Sequence, residues 1–346
     1  MNMNFDELYD VFSRRDTSYA AMIFVGVSST GVFCRVGCPA RIPKPENCHF
    51  YDNAEAALND GYRACKRCHP MKKPGEATTL VKRLINLVED DPERRWGERE
   101  LQAEGIAPST ARRQFKARFD MTFSDYARRR RMALATQALS KGEKVIEAQL
   151  SAGYDSPSGF RTAFAKTFGK APKDGASEPL LIEWLDTPLG PMVAICDSAS
   201  LYLLEFTNRK NLQRQFERLS KRRGRAIIPG RTAITDQIEG ELDDYFAGRL
   251  AKFQTPLALT GTDFQKSVWN ELMKIPYGET SNYDGIARRI GRPGASRAVG
   301  TANGDNRIAI MIPCHRVIRS DGSLSGYGGG VWRKRWMLDH ERHGLF

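Results

Sequence analysis

Five of the seven cysteines fall between Cys34 and Cys68, and this crowding constrains the fold of the first fifth of the chain more than any other feature. They include two close pairs, Cys34-x3-Cys38 and Cys65-x2-Cys68, with 26 residues between the pairs. Two such pairs are the usual means of placing four thiolates tetrahedrally around one Zn2+ ion. A segment this short builds little apolar core, so metal binding supplies folding free energy. An odd cysteine count with this clustering argues against a disulfide framework. The expectation is one structural zinc site held by Cys34, Cys38, Cys65 and Cys68. Cys48 and His69 are spare candidates: Cys48 lies outside both pairs, and His69 follows Cys68 so directly that it is a poor further ligand of the same ion.

The chain has 346 residues, too many for one ordinary core, and length suggests two or three domains. Lys and Arg number 53 against 41 Asp and Glu, a net charge of +12. That balance favours polyanions, chiefly nucleic acid or an anionic membrane surface. No stretch approaches the roughly 18 apolar residues of a membrane span. Met1 to Glu7 lacks the basic and apolar regions of a signal peptide. The expectation is a cytoplasmic protein with reduced thiols and no membrane partner. Around the cysteines, Arg35, Arg41, Arg63, Lys66 and Arg67 offer a phosphate-binding surface, or simply a solvated basic face.

Residues 77–174 read as helical. Leu80-Val81, Leu84-Ile85 and Leu87-Val88 have helical spacing. Two similar units follow, one around Gly105-Ile106-Ala107-Pro108-Ser109 with Phe115 and Phe119, the other around Gly153-Tyr154-Asp155-Ser156-Pro157-Ser158 with Phe160, Phe164 and Phe168. Each has the layout of a helix-turn-helix, whose second helix enters the major groove. Between them Arg128-Arg129-Arg130-Arg131 reads as a phosphate-contacting face. The pair resembles the DNA-binding domain of AraC-type regulators. The first unit departs from the pattern: Ala107 stands where a Ser usually caps the second helix, and Ala111 replaces a core Leu.

In the last segment, Leu180–Leu185, Met192–Cys196 and Leu201–Phe206 read as three strands separated by turns, with Cys196 as packing. Helices are expected over about 211–223, 264–274, 283–290 and 296–303. Then comes Ile312-Pro313-Cys314-His315-Arg316-Val317. A thiolate is a strong nucleophile, and a neighbouring base can take the thiol proton; a Cys closing an apolar run is also commonly inert packing.

Pro276-Tyr277-Gly278-Glu279-Thr280, Arg297-Ala298-Val299-Gly300, Asn303-Gly304-Asp305-Asn306, Pro313-Cys314-His315-Arg316, Gly326-Tyr327-Gly328-Gly329-Gly330 and His340-Glu341 resemble, in order and spacing, the O6-alkylguanine-DNA alkyltransferases. The cysteine segment, from Phe33-Cys34-Arg35 to Cys65-Lys66-Arg67-Cys68, resembles the zinc domain of the Ada family, and the three segments follow that family's order. The resemblance implies a multidomain α+β protein: a small zinc-bound α/β domain (1–76), an all-α double helix-turn-helix domain (77–174), and an alkyltransferase with a β-rich subdomain (177–258) and a helical catalytic subdomain (259–346).

The same resemblance implies the chemistry. Cys314 accepts the methyl group of O6-methylguanine, and of O4-methylthymine. His315 takes its proton through a water, Glu341 orients His315, Asn306 fixes the site, and Tyr283 handles the departing oxygen. Arg297 fills the stack left by an extruded nucleotide, and the small Ala298 and Gly300 let that helix approach the minor groove closely. Zinc-bound Cys34 accepts methyl from a backbone phosphotriester, and Thr30, Arg41 and Arg67 contact the backbone. The cofactor implied is one Zn2+ with no organic cofactor. The partners implied are double-stranded alkylated DNA, promoter DNA and RNA polymerase, with the protein a monomer associated with a bacterial-type nucleoid. Arg307 departs from the family's Pro after the Asn. Two competing readings remain: a repair protein without regulation, and a zinc-dependent regulator with an inert last domain.

Overall fold

Asn4 and Glu7 form a reciprocal capping box that opens helix α1 (Phe5–Ser13). The protein is described here from a computed structural model covering residues 3–20, 22–71, 77–119, 121–140, 142–168, 171–172, 178–209 and 212–343. The expected boundaries near 76 and between 174 and 177 lie largely outside the described residues, as does Asn211 at the expected start of a helix.

After α1 come strands β1 (Phe24–Val27), β2 (Val32–Arg35) and β3 (Cys48–Tyr51), helix α2 (Ala54–Asn59) and β4 (Arg63–Ala64). The sheet order is β3-β1-β2-β4, with β1 antiparallel to β2 and β3, and β2 parallel to β4. Val11 and Phe12 of α1 cover one face together with the cysteines, while Phe24, Phe33 and Ala57 pack on the other. The short sheet thus has an apolar layer on each side, one of them completed by thiols.

The middle segment is helical throughout: α3 (Thr79–Asp90), α4 (Glu98–Ala103), α5 (Pro108–Phe119), α6 (Phe123–Ser140), α7 (Val145–Ser151) and α8 (Pro157–Phe168). The pairs α4–α5 and α7–α8 are the two helix-turn-helix units. Both turns need a left-handed residue, and Gly105 and Gly153 each take φ of +70°, a conformation that costs glycine nothing. Helix α6 serves both cores: Phe123 and Tyr126 join Phe115 and Phe119, while Met132 and Ala135 join Phe160 and Phe164.

One detail separates the units. Ser156 accepts from the Gly159 N–H at 3.1 Å and caps α8, whereas Ala107, exposed before Pro108, has no side chain with which to cap α5. Ala107→Ser is expected to raise the unfolding free energy of this segment by about 1 kcal/mol, read as a higher denaturant midpoint; an unchanged midpoint would show that water satisfies that helix end equally well.

The arginine run corrects the sequence reading. Arg130 pairs with Glu89 at 2.9 Å, and buried Arg131 donates to the Arg94 carbonyl at 2.8 Å. Arg128 pairs with Asp125 at 2.5 Å. Arg130 and Arg131 therefore tie α6 to its neighbours, and the run is not a continuous phosphate-contacting face.

In the last segment β5 (Leu180–Leu185), β6 (Met192–Cys196) and β7 (Leu201–Phe206) coincide with the three expected strands. Then follow α9 (Leu212–Arg223), β8 (Ile227–Pro229), α10 (Ala233–Phe246), α11 (Asp263–Leu272), β9 (Ser281–Asn282), α12 (Tyr283–Arg289), α13 (Ser296–Gly304), β10 (Val317–Ile318) and α14 (Val331–Arg342). The sheet order is β7-β6-β5-β8; β8 joins β5 in parallel, and β9 pairs with β10. The largest core lies between this sheet and the helices, and it includes Ile308 to Ile312 and Cys314. Cys196 is buried in the same core, as expected.

The segments also touch. Phe119 meets Trp184 of β5 edge to face, with ring centroids 4.6 Å apart. Arg118 pairs with Asp186 at 2.6 Å, and the Ala77 N–H donates to the same carboxylate at 3.2 Å. Tyr19 of the cysteine segment lies against Trp332 of α14, centroids 6.3 Å apart. No helix among the described residues is long and apolar enough to cross a membrane.

Candidate active site and metal centre

Cys314 opens a short 3-10 turn (Cys314–Arg316) directly after the apolar run. That run is fixed to the sheet edge: the Leu204 N–H donates to the Arg307 carbonyl at 2.9 Å, and the Ala309 N–H to the Leu204 carbonyl at 2.7 Å. Ile310 takes φ of +70°, which a β-branched side chain adopts only at a cost. The surrounding structure holds this strained backbone four residues before the thiol.

Asn306 follows α13 and is 2 % exposed. Its Nδ2 donates to the Ile312 carbonyl at 2.9 Å and to Cys314 Sγ at 3.1 Å, and its Oδ1 accepts from the Ile308 N–H at 3.0 Å. One amide thus holds the loop and the sulfur together. Burial pushes the Cys314 thiol up from its ordinary value, while Asn306, Arg209 and Lys334 pull it back in part. A thiol in that position rests protonated and needs a base.

His315 is fully buried, and its Nε2 lies 2.8 Å from Glu341 Oε1. Glu341, on the last turn of α14, also accepts from the Tyr245 hydroxyl at 2.9 Å, from Arg316 Nε at 2.8 Å and Nη2 at 3.1 Å, and from the Gly278 N–H at 3.3 Å. Burial alone would raise the Glu341 carboxyl, but the bonds from His315 and Arg316 hold it down at about 2. A carboxylate only accepts, so Nε2 of His315 carries the proton. Burial keeps the imidazole below its ordinary value despite Glu341, leaving it neutral with Nδ1 as its free base. Among the described residues Nδ1 has no protein partner. Gly278 takes φ of +78°, and a Cβ there would come within 2.9 Å of the Glu341 carbonyl, so the glycine allows the close approach.

Tyr283 begins α12. Its hydroxyl lies 2.5 Å from Ser325 Oγ, which accepts from Lys334 Nζ at 3.0 Å. Lys334 is fully buried and is pushed down by burial to about 8. Arg297 and Ala298 lie exposed on the first turn of α13, away from the buried cluster of Cys314, His315, Asn306 and Glu341. Arg307 is buried and donates to the Thr260 carbonyl at 3.3 Å.

Sequence reasoning missed Tyr245, Arg316 and Lys334. Tyr245 sits on α10, which the sequence did not single out as a helix. Arg316 stood inside the quoted motif, but Arg is seldom buried unless paired, and its partner lies 25 residues away. The basic run of α14 reads as exposed, yet Arg333 and Lys334 face inward.

In the first segment, Sγ of Cys34, Cys38, Cys65 and Cys68 all lie within 4.8 Å of one another, with Cys38 and Cys65 at 3.9 Å. Zinc–sulfur bonds of about 2.3 Å place tetrahedral sulfurs about 3.8 Å apart, so the set fits one Zn2+. The thiols interact strongly: the hydrogen bond to Cys68 and then burial push Cys34 up, while the bond to Cys34 pulls Cys68 down to about 5. Holding all four as thiolates at this distance would need a cation between them. These cysteines form the metal site; buried Cys48 donates to the Lys44 carbonyl at 3.4 Å and stands apart, and His69 is exposed. Thr30, Arg41 and Arg67 are exposed on the same segment. Arg35 is half-buried and bonded to the His69 carbonyl.

Three parts of the chain match known families. Residues 7–71 match the family described as the metal binding domain of Ada, 101–175 a helix-turn-helix domain, and 263–343 the DNA binding domain of 6-O-methylguanine DNA methyltransferase. Residues 101–175 run from the second half of α4 through α8, and 263–343 hold Cys314, His315 and Glu341. The methylated-DNA–protein-cysteine methyltransferase of Mycobacterium tuberculosis is 46% identical over 158 residues, 46% of this chain and 90% of that protein. The crystal structure of Mycobacterium tuberculosis OGT in complex with DNA is 42% identical and covers 47% of this chain and 92% of that one, with a TM-score of 0.41. The bifunctional transcriptional activator/DNA repair enzyme Ada of Escherichia coli is 33% identical over 345 residues, 97% of this chain and 96% of that protein. A match at that identity, running through the metal site, both helix pairs and the buried Cys314 site, makes this chain a member of the Ada family.

Proposed function

We propose that the protein repairs alkylated DNA by moving a methyl group irreversibly onto its own cysteines, and that methylation at Cys34 turns it into a transcription activator. The observation that carries the repair half is the buried set of Cys314 on Asn306 and His315 on Glu341. A neutral imidazole with a free Nδ1 takes the thiol proton through one water. The thiolate, a soft nucleophile, attacks the methyl carbon of O6-methylguanine, or of O4-methylthymine, in line with the C–O bond. The C–O electron pair leaves with the base, and Tyr283 donates its hydroxyl proton toward that charge. The product is a thioether, and no group beside it offers a route to hydrolysis, so each site acts once.

Among the described residues a cavity of about 20 Å³ lies beside Cys314, walled by Asn306, Arg209 and the glycine segment around Tyr327. A purine does not fit there, so the glycine segment moves aside when an extruded nucleotide enters. Arg297, exposed on α13, takes up the vacated stack, and the small Ala298 beside it lets the helix approach the minor groove closely. Tyr283→Phe is expected to lower the transfer rate about 10²-fold with unchanged DNA affinity, measured by single-turnover kinetics. A parent-like rate would remove Tyr283 from the chemistry.

At the other end, Cys34 accepts methyl from a backbone methylphosphotriester, with Thr30, Arg41 and Arg67 on the DNA. Zn2+ keeps ligated thiolates ionised and nucleophilic. Four thiolates on Zn2+ carry a net charge of about −2, and methylation of Cys34 removes one negative charge, so the surrounding Arg and Lys then dominate toward phosphate. We assign residues 1–76, 77–174, 177–258 and 259–346 to the metal, helix-turn-helix, β-rich and catalytic units. The partners are alkylated duplex DNA, promoter DNA and RNA polymerase, and the protein acts as a monomer in the cytoplasm on the nucleoid.

Mass spectrometry of tryptic peptides after incubation with methylated DNA tests the assignment. Permanent methyl groups on the Cys314 and Cys34 peptides are expected, and methyl on neither overturns it. A repair-only reading is favoured by the uncapped α5 and the small Ala111 in its core. Footprinting with Cys34-methylated protein decides between them: no preference for a promoter over random DNA sinks the regulatory half.

A further inference from the structure

Arg209 lies three residues beyond β7, in the β-rich part of the last segment, yet its guanidinium ends in the catalytic part. It pairs with the Glu205 carboxylate, and the two side chains are 11 % and 1 % exposed. Nη1 donates to the Asn306 carbonyl at 2.8 Å and Nη2 to the Gly304 carbonyl at 2.6 Å. Asn306 is the residue whose amide holds Cys314 Sγ. Gly328 faces the guanidinium so closely that a Cβ there would lie 2.9 Å from Arg209 Cζ. Arg209 thus joins the two loops that wall the cavity beside the sulfur.

Gly304 is the last residue of α13, and a helix C-terminus presents unpaired carbonyls and partial negative charge. That charge next to Cys314 opposes formation of a thiolate. We propose that Arg209 is a positioning residue for methyl transfer, which holds Asn306 against the Cys314 sulfur and neutralises the C-terminal end of α13 so that the thiolate can form. The inference rests on the reading of Cys314 as the acceptor.

The charged or titratable groups facing Cys314 are Arg209, Lys334 of α14 and the Tyr327 hydroxyl, with His315 next in the chain. Glu205 is engaged by Arg209. Lys334 keeps its own bonds to the Val317 carbonyl and Ser325, so a change at Arg209 leaves that second cation in place. Removing Arg209 alone would strand the buried Glu205 charge. The variant of choice is therefore Glu205→Gln/Arg209→Met, which removes both charges and keeps an apolar stem against Gly328.

The test uses the full chain. The pH dependence of Cys314 alkylation by iodoacetamide is read by peptide mass spectrometry, alongside the rate of methyl transfer from an O6-methylguanine duplex. The double variant is expected to move the thiol midpoint up by about one unit and to slow transfer near neutral pH about tenfold. Arg209→Lys, which keeps the charge without the planar fork, should bring the midpoint back toward the parent's. A double variant with the parent's midpoint overturns the proposal, whatever its rate, because a merely structural role lowers the rate without moving the midpoint. Should the double variant not fold, Glu205→Gln alone decides: Arg209 then acts with its full charge, and a midpoint that does not fall overturns the proposal. Methyl found away from the Cys314 peptide would sink the acceptor assignment instead, while the iodoacetamide midpoint still reports on Arg209.

Discussion

Glu341→Gln is expected to slow methyl transfer to Cys314 by at least about 10²-fold and to cost on the order of 3 kcal/mol of stability. Glu341 accepts from His315, Arg316, Tyr245 and the Gly278 backbone, and among the described residues it is the carboxylate paired with Arg316. An amide of the same size presents a donor where two acceptors are required. It leaves a buried guanidinium unpaired and removes the partner that fixes the proton on Nε2 of His315. Single-turnover kinetics and denaturant unfolding measure the two effects separately, and a parent rate at parent stability would refute the arrangement.

The acid limb gives an independent check. The folded Glu341 carboxyl is depressed from its ordinary 4.5 to about 2. A depressed carboxyl stabilises the fold above its unfolded value and loses that contribution as pH falls through the folded one. The parent should therefore lose stability from pH 4.5 down to about 2, and the glutamine variant should lose less over the same interval. Equal losses would mean that Glu341 is not the group titrating.

Cys38→Ala should abolish the metal site and unfold the first segment while leaving guanine repair within about twofold of the parent. The first expectation follows from the small core there: metal binding is folding free energy for such a segment, and one ligand fewer opens the tetrahedral set. The second follows from where the two segments meet, at Tyr19 and Met22 against Trp332 and its neighbours, a surface that includes none of Cys314, His315, Asn306 and Glu341. Bound zinc per chain, circular dichroism and transfer to Cys314 read the three outcomes. Loss of both activities together would mean that the first and last segments fold as one unit.

The parts legible in the sequence were those set by local pattern. Mostly apolar runs bounded by turns gave β5 to β7 to the residue, because both faces of that sheet are covered, even though Glu183 stands within β5 and Glu205 within β7. Cysteine spacing gave the metal set, because two pairs on short loops can converge on one ion. Illegible were the polar residues whose role is fixed across long separations. Arg316 reads as a surface cation until Glu341 is folded over it, and Lys334 until Val317 and Ser325 meet it. Arg130 and Arg131 looked like contacts for phosphate because charge on a helix face carries no sign of what lies opposite. The resemblance to a family named Cys314, His315, Asn306 and Glu341, but the reason the imidazole stays neutral is burial, which outweighs the pull of Glu341 toward protonation and which only geometry provides.

The attachment of the apolar run to β7 has a consequence for solubility. All six residues of β7 are buried and it lies at one end of the sheet order, so its backbone is a template on which another chain could build an amyloid-like ladder. Arg307 and Ala309 occupy its hydrogen-bonding groups at Leu204, and Pro256 and Ala258 those at Leu201. At the opposite end, β8 is three residues long and finishes in Pro229, which has no N–H to offer. The stretch that leads into Cys314 therefore also shields one flank of the sheet, and any change that frees it exposes a sticky edge.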